Sequence, residues 1–471
     1  MAVDASTSAR MRDDALTLFR QPDARPVHFV GIAGAGMSAL AELFVRRGIA
    51  VTGSDMSAAG NADLEALGIT VHRGHSAAYV GGARALIVSS AISAEHVEVA
   101  EALLLHIPVI RRAEALGAAV DGMQIVGIAG THGKTTTTVM TTEALSGTAA
   151  APTGIVGGRV QRWGGNLRWG GGNTVVVEAD EYDRSFLALH PTVAVVTNVE
   201  ADHLDIYTDL ADITATFEQY LSNAKGIVLC ADDPGAAALA LPDSADVIRY
   251  AIDDRNARLV GIRDGQSMQV FFDAAPLGTI TLRVPGDHNK RNALAALAAG
   301  LLLGYPFDEL RGGLESFGGV ERRFEPKGEV GGILVIDDYA HHPTEVRATL
   351  QAARAAYPER RIVALFQPHL FTRTRDFAGE FGNALAAGAD VVALTDIYKA
   401  REQPIPGVSS ELIAAAATRA GHAPEWFGLR ADATSALRTL VRAGDLVITM
   451  GAGDVTQVGP ELLAALRADV P

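Results

Sequence analysis

From Val27 onward the chain alternates short apolar runs with longer segments in which apolar residues recur at helical spacing. That is the pattern of buried strands joined by amphipathic helices, and it predicts an α/β fold built on parallel sheets. The pattern falls into three blocks. The first, 26–120, has a strand at 27–32, a helix from Met37, a strand at 49–53 and the run Ala85-Leu86-Ile87-Val88-Ser89-Ser90. The second, 121–321, opens on a strand at 123–129 and continues with strands near 174–178, 193–198 and 226–230. It closes with a long alanine-rich helix beginning near Arg291 and the turn Gly318-Gly319-Val320. The third, 322–471, has strands near 333–337, 361–366, 390–394 and 445–450 with helices between them. The glycine-rich stretch 154–172 reads as a mobile loop, because glycine raises the entropy lost on ordering. Residues 1–25 stand apart as an N-terminal extension.

Length and composition agree with three blocks. A chain of 471 residues exceeds one core at roughly 100–200 residues per domain. Apolar residues at 48% and charged residues at 20% are the balance of a folded globular protein. A formal net charge of −15 disfavours nucleic acid and anionic membrane as partners, while leaving room for a local basic pocket. Cys230, the single cysteine, has no partner for an internal disulfide and suits a reducing compartment. It lies in the apolar run Gly226-Ile227-Val228-Leu229-Cys230 and is expected in the core. Residues 1–25 lack the apolar centre of a signal peptide. No run reaches the roughly 18 apolar residues of a membrane helix. The expected location is the cytoplasm, and the expected state a monomer or weak homodimer.

The chemistry begins where strand 123–129 runs into Gly130-Thr131-His132-Gly133-Lys134-Thr135-Thr136-Thr137-Thr138. Glycines let backbone N–H groups converge on a phosphate at a helix N-terminus, with a lysine for the terminal phosphates and a hydroxyl for Mg²⁺. The strict G-x-x-x-x-G-K-[ST] spacing fails because position 128 is isoleucine; Gly127, Gly130 and Gly133 stand instead. Two later strands end in acids: Glu178, Asp180 and Glu181 follow Val175-Val176-Val177, while Asn198, Glu200, Asp202, His203 and Asp205 follow Val193-Ala194-Val195-Val196. Ligands of open α/β sheets bind at the carboxyl ends of strands, so these groups should meet the phosphate loop. In the first block Gly34-Ala35-Gly36-Met37-Ser38-Ala39 fits G-x-G-x-x-[GA], with Asp55 roughly 20 residues on. Taken alone, that fingerprint would suit a nicotinamide-dependent dehydrogenase.

Seven segments in order carry a family resemblance: GTHGKTTTT, EADEYDRSF, TNVEADHLD, PGDHNKRNALAA, GVERRFE, DDYAHHPTEV and FQPHLFTRTRDF. Together they resemble the Mur ligases of peptidoglycan synthesis, from His28 to about Asp454, and within them the branch that adds L-alanine. The resemblance implies an N-terminal Rossmann-like domain for a UDP-sugar, a central P-loop ATPase-like domain and a C-terminal Rossmann-like domain that closes over the site. It implies ATP and Mg²⁺, and as substrates UDP-N-acetylmuramate and L-alanine, joined through an acyl phosphate. Carried onto this chain, Gly130, Thr131, His132, Gly133, Lys134, Thr135 and Thr136 meet the phosphates. Asn289, Asn292, Arg323 and Asp338 complete the ATP contacts. Thr135, Glu178 and His203 hold metal, with Asn198 beside them. Gly34, Gly36, Met37, Ser38, Asp55 and Ser89 take the UDP-sugar, together with Arg373 and Arg375. Lys134, His203, His342 and Arg375 carry catalysis, and His341 belongs to the same closed site.

One departure narrows the branch. Several Mur ligases place a carbamylated lysine some fifteen residues beyond the His203 position, whereas here Phe217 and Glu218 stand there and no lysine lies between His203 and Lys225. The L-alanine-adding branch resembles this chain in that respect. A recycling ligase that attaches a preformed murein tripeptide to the same sugar nucleotide shares most of the motifs and stays open, whereas a nucleotide-binding regulator without catalysis is disfavoured because every position expected to carry chemistry holds a competent side chain. The dehydrogenase reading leaves the phosphate loop and the DDYAHHP and TRTRD segments unexplained.

Overall fold

The computed structural model describes residues 5–57, 61–400 and 402–468. Three sheets form, each assembled where the apolar runs lie. The first is wholly parallel, in the order Thr70–Arg73, Val51–Asp55, Val27–Val30, Ala85–Val88, Val109–Arg111. Its central strands Val27–Val30 and Ala85–Val88 are buried at every position, as a sheet covered by helices on both faces requires.

The second sheet has ten strands. Its parallel centre runs Asp246–Ile252, Gly226–Cys230, Val193–Val196, Gln124–Ala129, Thr174–Glu178, Thr153–Val160. One flank ends in an antiparallel meander, Leu259–Asp264, Ser267–Phe272, Ala275–Thr281. The sequence reading missed these strands, since their apolar positions alternate with polar ones instead of forming runs. The other flank corrects an expectation. The glycine-rich stretch 154–172 is no mobile loop: it folds as strand Thr153–Val160, a short 3-10 turn Gln161–Trp163 and strand Gly165–Arg168. Its glycines serve close approach, because a side chain at Gly154 would strike Thr142 and Trp163. Trp163 anchors the hairpin by donating from Nε1 to Glu143 Oε1 at 2.7 Å.

The third sheet runs Glu325–Val330, Ile333–Asp338, Asp445–Met450, Arg361–Phe366, Val391–Thr395, Trp426–Gly428, parallel except for its first strand. Helices fall near the expected places, with small shifts: Ala35–Arg46 starts ahead of Met37, and Asp287–Leu302 starts ahead of Arg291. Residues 1–25 contain the helix Ala5–Arg20, in which Ala15 and Leu18 are buried and Phe19 meets Phe44 edge-on at 5.0 Å. Cys230 is buried as expected.

The chain divides into two compact units, one of residues up to Leu282 with Lys290–Phe317 and the other of Arg283–Asn289 with Gly318 onward. Within the first, one apolar core runs from Phe29 and Leu43 through Leu116 to Val177, Phe186 and Phe217. The first and second sheets are therefore built around common side chains. Phe217, near the position where the resemblance places a carbamylated lysine in several Mur ligases, is part of that core and packs on Phe186.

Candidate active site

Strand Gln124–Ala129 feeds the phosphate loop and helix Lys134–Ser146. Gly130 and Gly133 both have positive φ, at 133° and 80°, and neither tolerates a side chain: a Cβ on Gly130 would strike Thr197, and one on Gly133 would meet Asn292 Oδ1. The loop is stapled to the strand that ends at Val196. Asn198 Oδ1 accepts from His132 N at 2.7 Å, its Nδ2 donates to His132 O at 3.1 Å, and Thr197 Oγ1 donates to the same carbonyl at 2.6 Å. Thr131 Oγ1 accepts from Glu200 N at 2.9 Å. Asn198 thus braces the loop from behind, and Thr136 is buried in the first helical turn. Gly127 contributes differently, because the hydroxyl of Tyr220 lies against its Cα.

Lys134 Nζ donates to Gly130 O at 2.7 Å, Thr131 O at 3.2 Å and Glu181 Oε1 at 2.9 Å. Burial works against its charge, but Glu181, Asp180 and Glu178 outweigh burial and hold the ammonium above its ordinary range. Thr135 Oγ1 lies 3.0 Å from both oxygens of Glu178, which also accepts from Gly157 N at 2.8 Å. Burial raises the Glu178 carboxyl, opposed by that N–H and by Lys134. His203 sits at φ 53° with Nε2 3.6 Å from Glu181 Oε1 and 3.9 Å from Asp202 Oδ2. Burial opposes its charge, yet Glu181 and Asp202 raise it overall. The structure therefore brings Thr135 and Glu178 together as oxygen donors, and gives His203 to Glu181 and Asp202. Sequence reasoning found Glu181 only as one acid among several; its role as the partner of Lys134 shows in the fold.

In the first sheet Asp55 Oδ2 accepts from Ala33 N at 2.9 Å and Oδ1 from Ser57 N at 2.8 Å, fixing the loop ahead of Gly34. Gly34 caps helix Ala35–Arg46 without a side-chain hydrogen bond, while Ser38 Oγ donates to Ala35 O at 3.0 Å and Met37 is buried. Ser89 follows the end of strand Ala85–Val88. The hairpin of the second sheet reaches this loop: Asn166 Nδ2 donates to Ala35 O at 3.0 Å. Between them opens a cleft running from Gly36 and Arg112 past Ile155 and Gly157 to Glu178 and Asp180. Arg112 and Gly157 were missed from the sequence. Arg112 stands in an Arg-Arg pair at a helix start, and Gly157 contributes only its backbone.

Of the remaining predicted residues, Asn292 lies in the first unit and the others in the second, with Asn289 on the segment 283–289 and the rest on the third sheet or the loops and helices beside it. Asn289 Nδ2 donates to Pro285 O at 2.6 Å, whereas Asn292 belongs with the phosphate loop beside Gly133. Asp338 accepts from Phe324 N at 2.7 Å and Ala340 N at 2.8 Å, and burial pushes its carboxyl up to about 6 against the pull of Arg323. Arg323 pairs with Glu345 at 3.2 Å, and His341 Nδ1 lies 3.1 Å from that same residue. His342 caps helix Pro343–Ala356, its ring accepting from Thr344 N. Arg373 is buried, with Nη1 3.3 Å from His369 Nδ1, while Arg375 is exposed and paired with its neighbour Asp376 at 2.7 Å.

Three family descriptions match in chain order: Mur ligase family, catalytic domain, over 26–123; Mur ligase middle domain over 128–300; and Mur ligase, glutamate ligase domain, over 322–453. The UDP-N-acetylmuramate–L-alanine ligase of Salinibacter ruber is 46% identical over 456 residues, spanning 94% of this chain and 96% of the relative. The chain belongs to the Mur ligase family. A Mur ligase of the same description from Streptomyces avermitilis is 44% identical over 453 residues, covering 93% of this chain and 97% of its own. Among solved structures, the UDP-N-acetylmuramate–alanine ligase of Thermotoga maritima superposes with a TM-score of 0.80 at 28% identity, covering 94% of this chain and 100% of that one. The murein peptide ligase of Psychrobacter arcticus shares the fold, at a TM-score of 0.69 and 24% identity over 94% and 98% of the two chains. The Mur ligase family is ATP-dependent, and the α/β fold expected from the sequence, built on three largely parallel sheets, is the one observed.

Proposed function

We propose that this Mur ligase joins L-alanine to the lactyl carboxylate of UDP-N-acetylmuramate, giving UDP-N-acetylmuramoyl-L-alanine, ADP and phosphate in peptidoglycan precursor synthesis. Near-full-length likeness to L-alanine ligases supports the substrate pair. The observation that carries the chemistry is that Glu178, which lines the far end of the cleft that begins at Gly36, holds Thr135 of the phosphate loop, while Lys134 of the same loop pairs with Glu181. ATP phosphorylates the carboxylate; the amine of L-alanine attacks the acyl carbon, and phosphate leaves as the amide forms. Lys134 stabilises charge on the transferring phosphoryl group, where a fixed cation lowers the barrier most. Thr135 and Glu178 supply hard oxygen donors of the kind Mg²⁺ prefers, and the ion would neutralise phosphate charge when bound. His203, paired with Glu181, steadies the acids around Lys134.

In this reading 26–120 binds the UDP-sugar, 121–321 binds ATP, and 322–471 contributes Arg323, Asp338, His342, Arg373 and Arg375. The protein works in the cytoplasm as a monomer or weak homodimer; among the described residues no helix is long and apolar enough to cross a membrane. The test is phosphate release with UDP-N-acetylmuramate against L-alanine, glycine, L-serine and the murein tripeptide. L-Alanine should give the highest kcat/KM; turnover with the tripeptide alone would assign the chain to recycling instead.

A further inference from the structure

Two adjacent arginines at the end of the first sheet have different surroundings. Arg111 reaches across to the second sheet's domain and pairs with Asp183 at 3.1 Å. Arg112, opening helix Arg112–Ala119, is half-buried in the cleft, and among the described residues no carboxylate or carbonyl engages its guanidinium. A half-buried guanidinium has lost part of its hydration without a protein partner in return, which points to a ligand anion as the compensating group. Its position names the anion. A Cβ built on Gly36 would lie 3.1 Å from Arg112 Nη1, so the guanidinium rests on the second glycine of the G-x-G-x-x-A loop. That loop is where a diphosphate approaches the backbone.

We propose that Arg112 is the counter-ion of the substrate's diphosphate and orients the sugar nucleotide along the cleft, an inference that rests on the function proposed above. Among the described residues lining the cleft Arg112 is the one cation, and the far end carries Glu178 and Asp180. This asymmetry attracts the diphosphate to the Gly36 end and repels it from the acids. The sugar and its lactyl group then extend past Ile155 and Gly157 toward the phosphate loop. A side chain at Gly36 would press on the guanidinium.

The experiment is calorimetric titration of the full chain with uridine, UDP and UDP-N-acetylmuramate, in the unaltered protein, Arg112→Met and Arg112→Lys. Methionine keeps the stem's bulk, and no internal partner is lost, so thermal stability should hold. In Arg112→Met, UDP and UDP-N-acetylmuramate should each weaken by roughly ten- to a hundred-fold, as loss of a charge-assisted phosphate contact implies. Uridine binding and the KM for ATP should not move, and Arg112→Lys should recover part of the loss. Equal UDP affinity in the unaltered protein and a folded Arg112→Met would overturn the proposal. So would a loss confined to UDP-N-acetylmuramate, which would put the guanidinium on the lactyl carboxylate. If the unaltered protein bound neither UDP nor UDP-N-acetylmuramate, the proposed function itself would fall, and Arg112 with it.

Discussion

Glu181 is only 3% exposed, and Lys134, with His203 beside it, lets it stay charged there. From the sequence, Lys134 reads as a loop residue that supplies charge alone; the pairing gives it a second duty. Lys134→Ala should slow phosphate release by a hundred-fold or more, on the scale of a lost oxyanion donor. It should also destabilise the fold by up to about 3–5 kcal/mol, the scale for removing one partner of a buried ion pair. In urea denaturation, adding Glu181→Gln should return most of the stability and none of the activity. Unchanged stability in Lys134→Ala would show that the pair carries no structural weight. A second buried acid, Glu98, is shared by Ser54 Oγ at 2.7 Å, Ser76 N at 3.1 Å and the rings of His28 and His75. Burial raises its carboxyl, but His28, Ser54 and Ser76 N outweigh burial and depress it to about 2. A depressed acid stabilises the fold above its unfolded value near 4.5, and that contribution disappears as pH falls through the folded value. The stability gap between the unaltered protein and Glu98→Gln should therefore be full at neutral pH and shrink from pH 4.5 toward 2. A gap that does not vary with pH would exclude a charged Glu98.

Helix Leu210–Leu221 and strand Gln124–Ala129 approach each other through Gly127, where the Tyr220 hydroxyl touches the backbone. That hydroxyl is buried and, among the described residues, makes no hydrogen bond. Gly127→Ala should cost about 1–3 kcal/mol by overpacking. Tyr220→Phe should be neutral or stabilising, since it removes a buried polar group without a partner, and should relieve Gly127→Ala in the double variant. Additive free energies in that cycle would disprove the contact. The phosphate-loop motif offered Gly127 as a candidate phosphate-loop glycine; its close approach to Tyr220, far along the chain, had no local signature. The same holds more widely. Val175-Val176-Val177 and Val193-Ala194-Val195-Val196 announce strands because both faces are buried, and GTHGKT announces its turn because phosphate binding is a local geometry. The hairpin Thr153–Val160 with Gly165–Arg168 hid behind its glycines, whose purpose lies in Thr142, Trp163 and Glu178. Arg112 hid because its meaning depends on Gly36, distant in sequence.

Each of the two units has its own interior. The first is filled by the core running from Phe29 to Phe217, and the second by clusters around Phe366 and Val447 on opposite faces of the third sheet. The first and second sheets' domains are further joined by Arg111–Asp183 at 3.1 Å, Arg159–Asp63 at 2.8 Å and the close approach of Gly117 to Ala188. Shared apolar contacts make shared cooperativity. Hydrogen exchange across a temperature series should show amides of Val27–Val30 and Val193–Val196 losing protection together, and those of Arg361–Phe366 losing it in a separate transition. Independent melting of the first sheet would contradict a common core. The same core bears on how such a chain can be recombined. A crossover near residue 120 would split side chains that pack against one another, whereas a junction at Phe317–Gly318 leaves each apolar core whole and parts only the segment Arg283–Asn289 from its unit. Chimeras between relatives should then inherit the sugar-nucleotide loop and the phosphate loop as a single block, with the third sheet as the exchangeable piece.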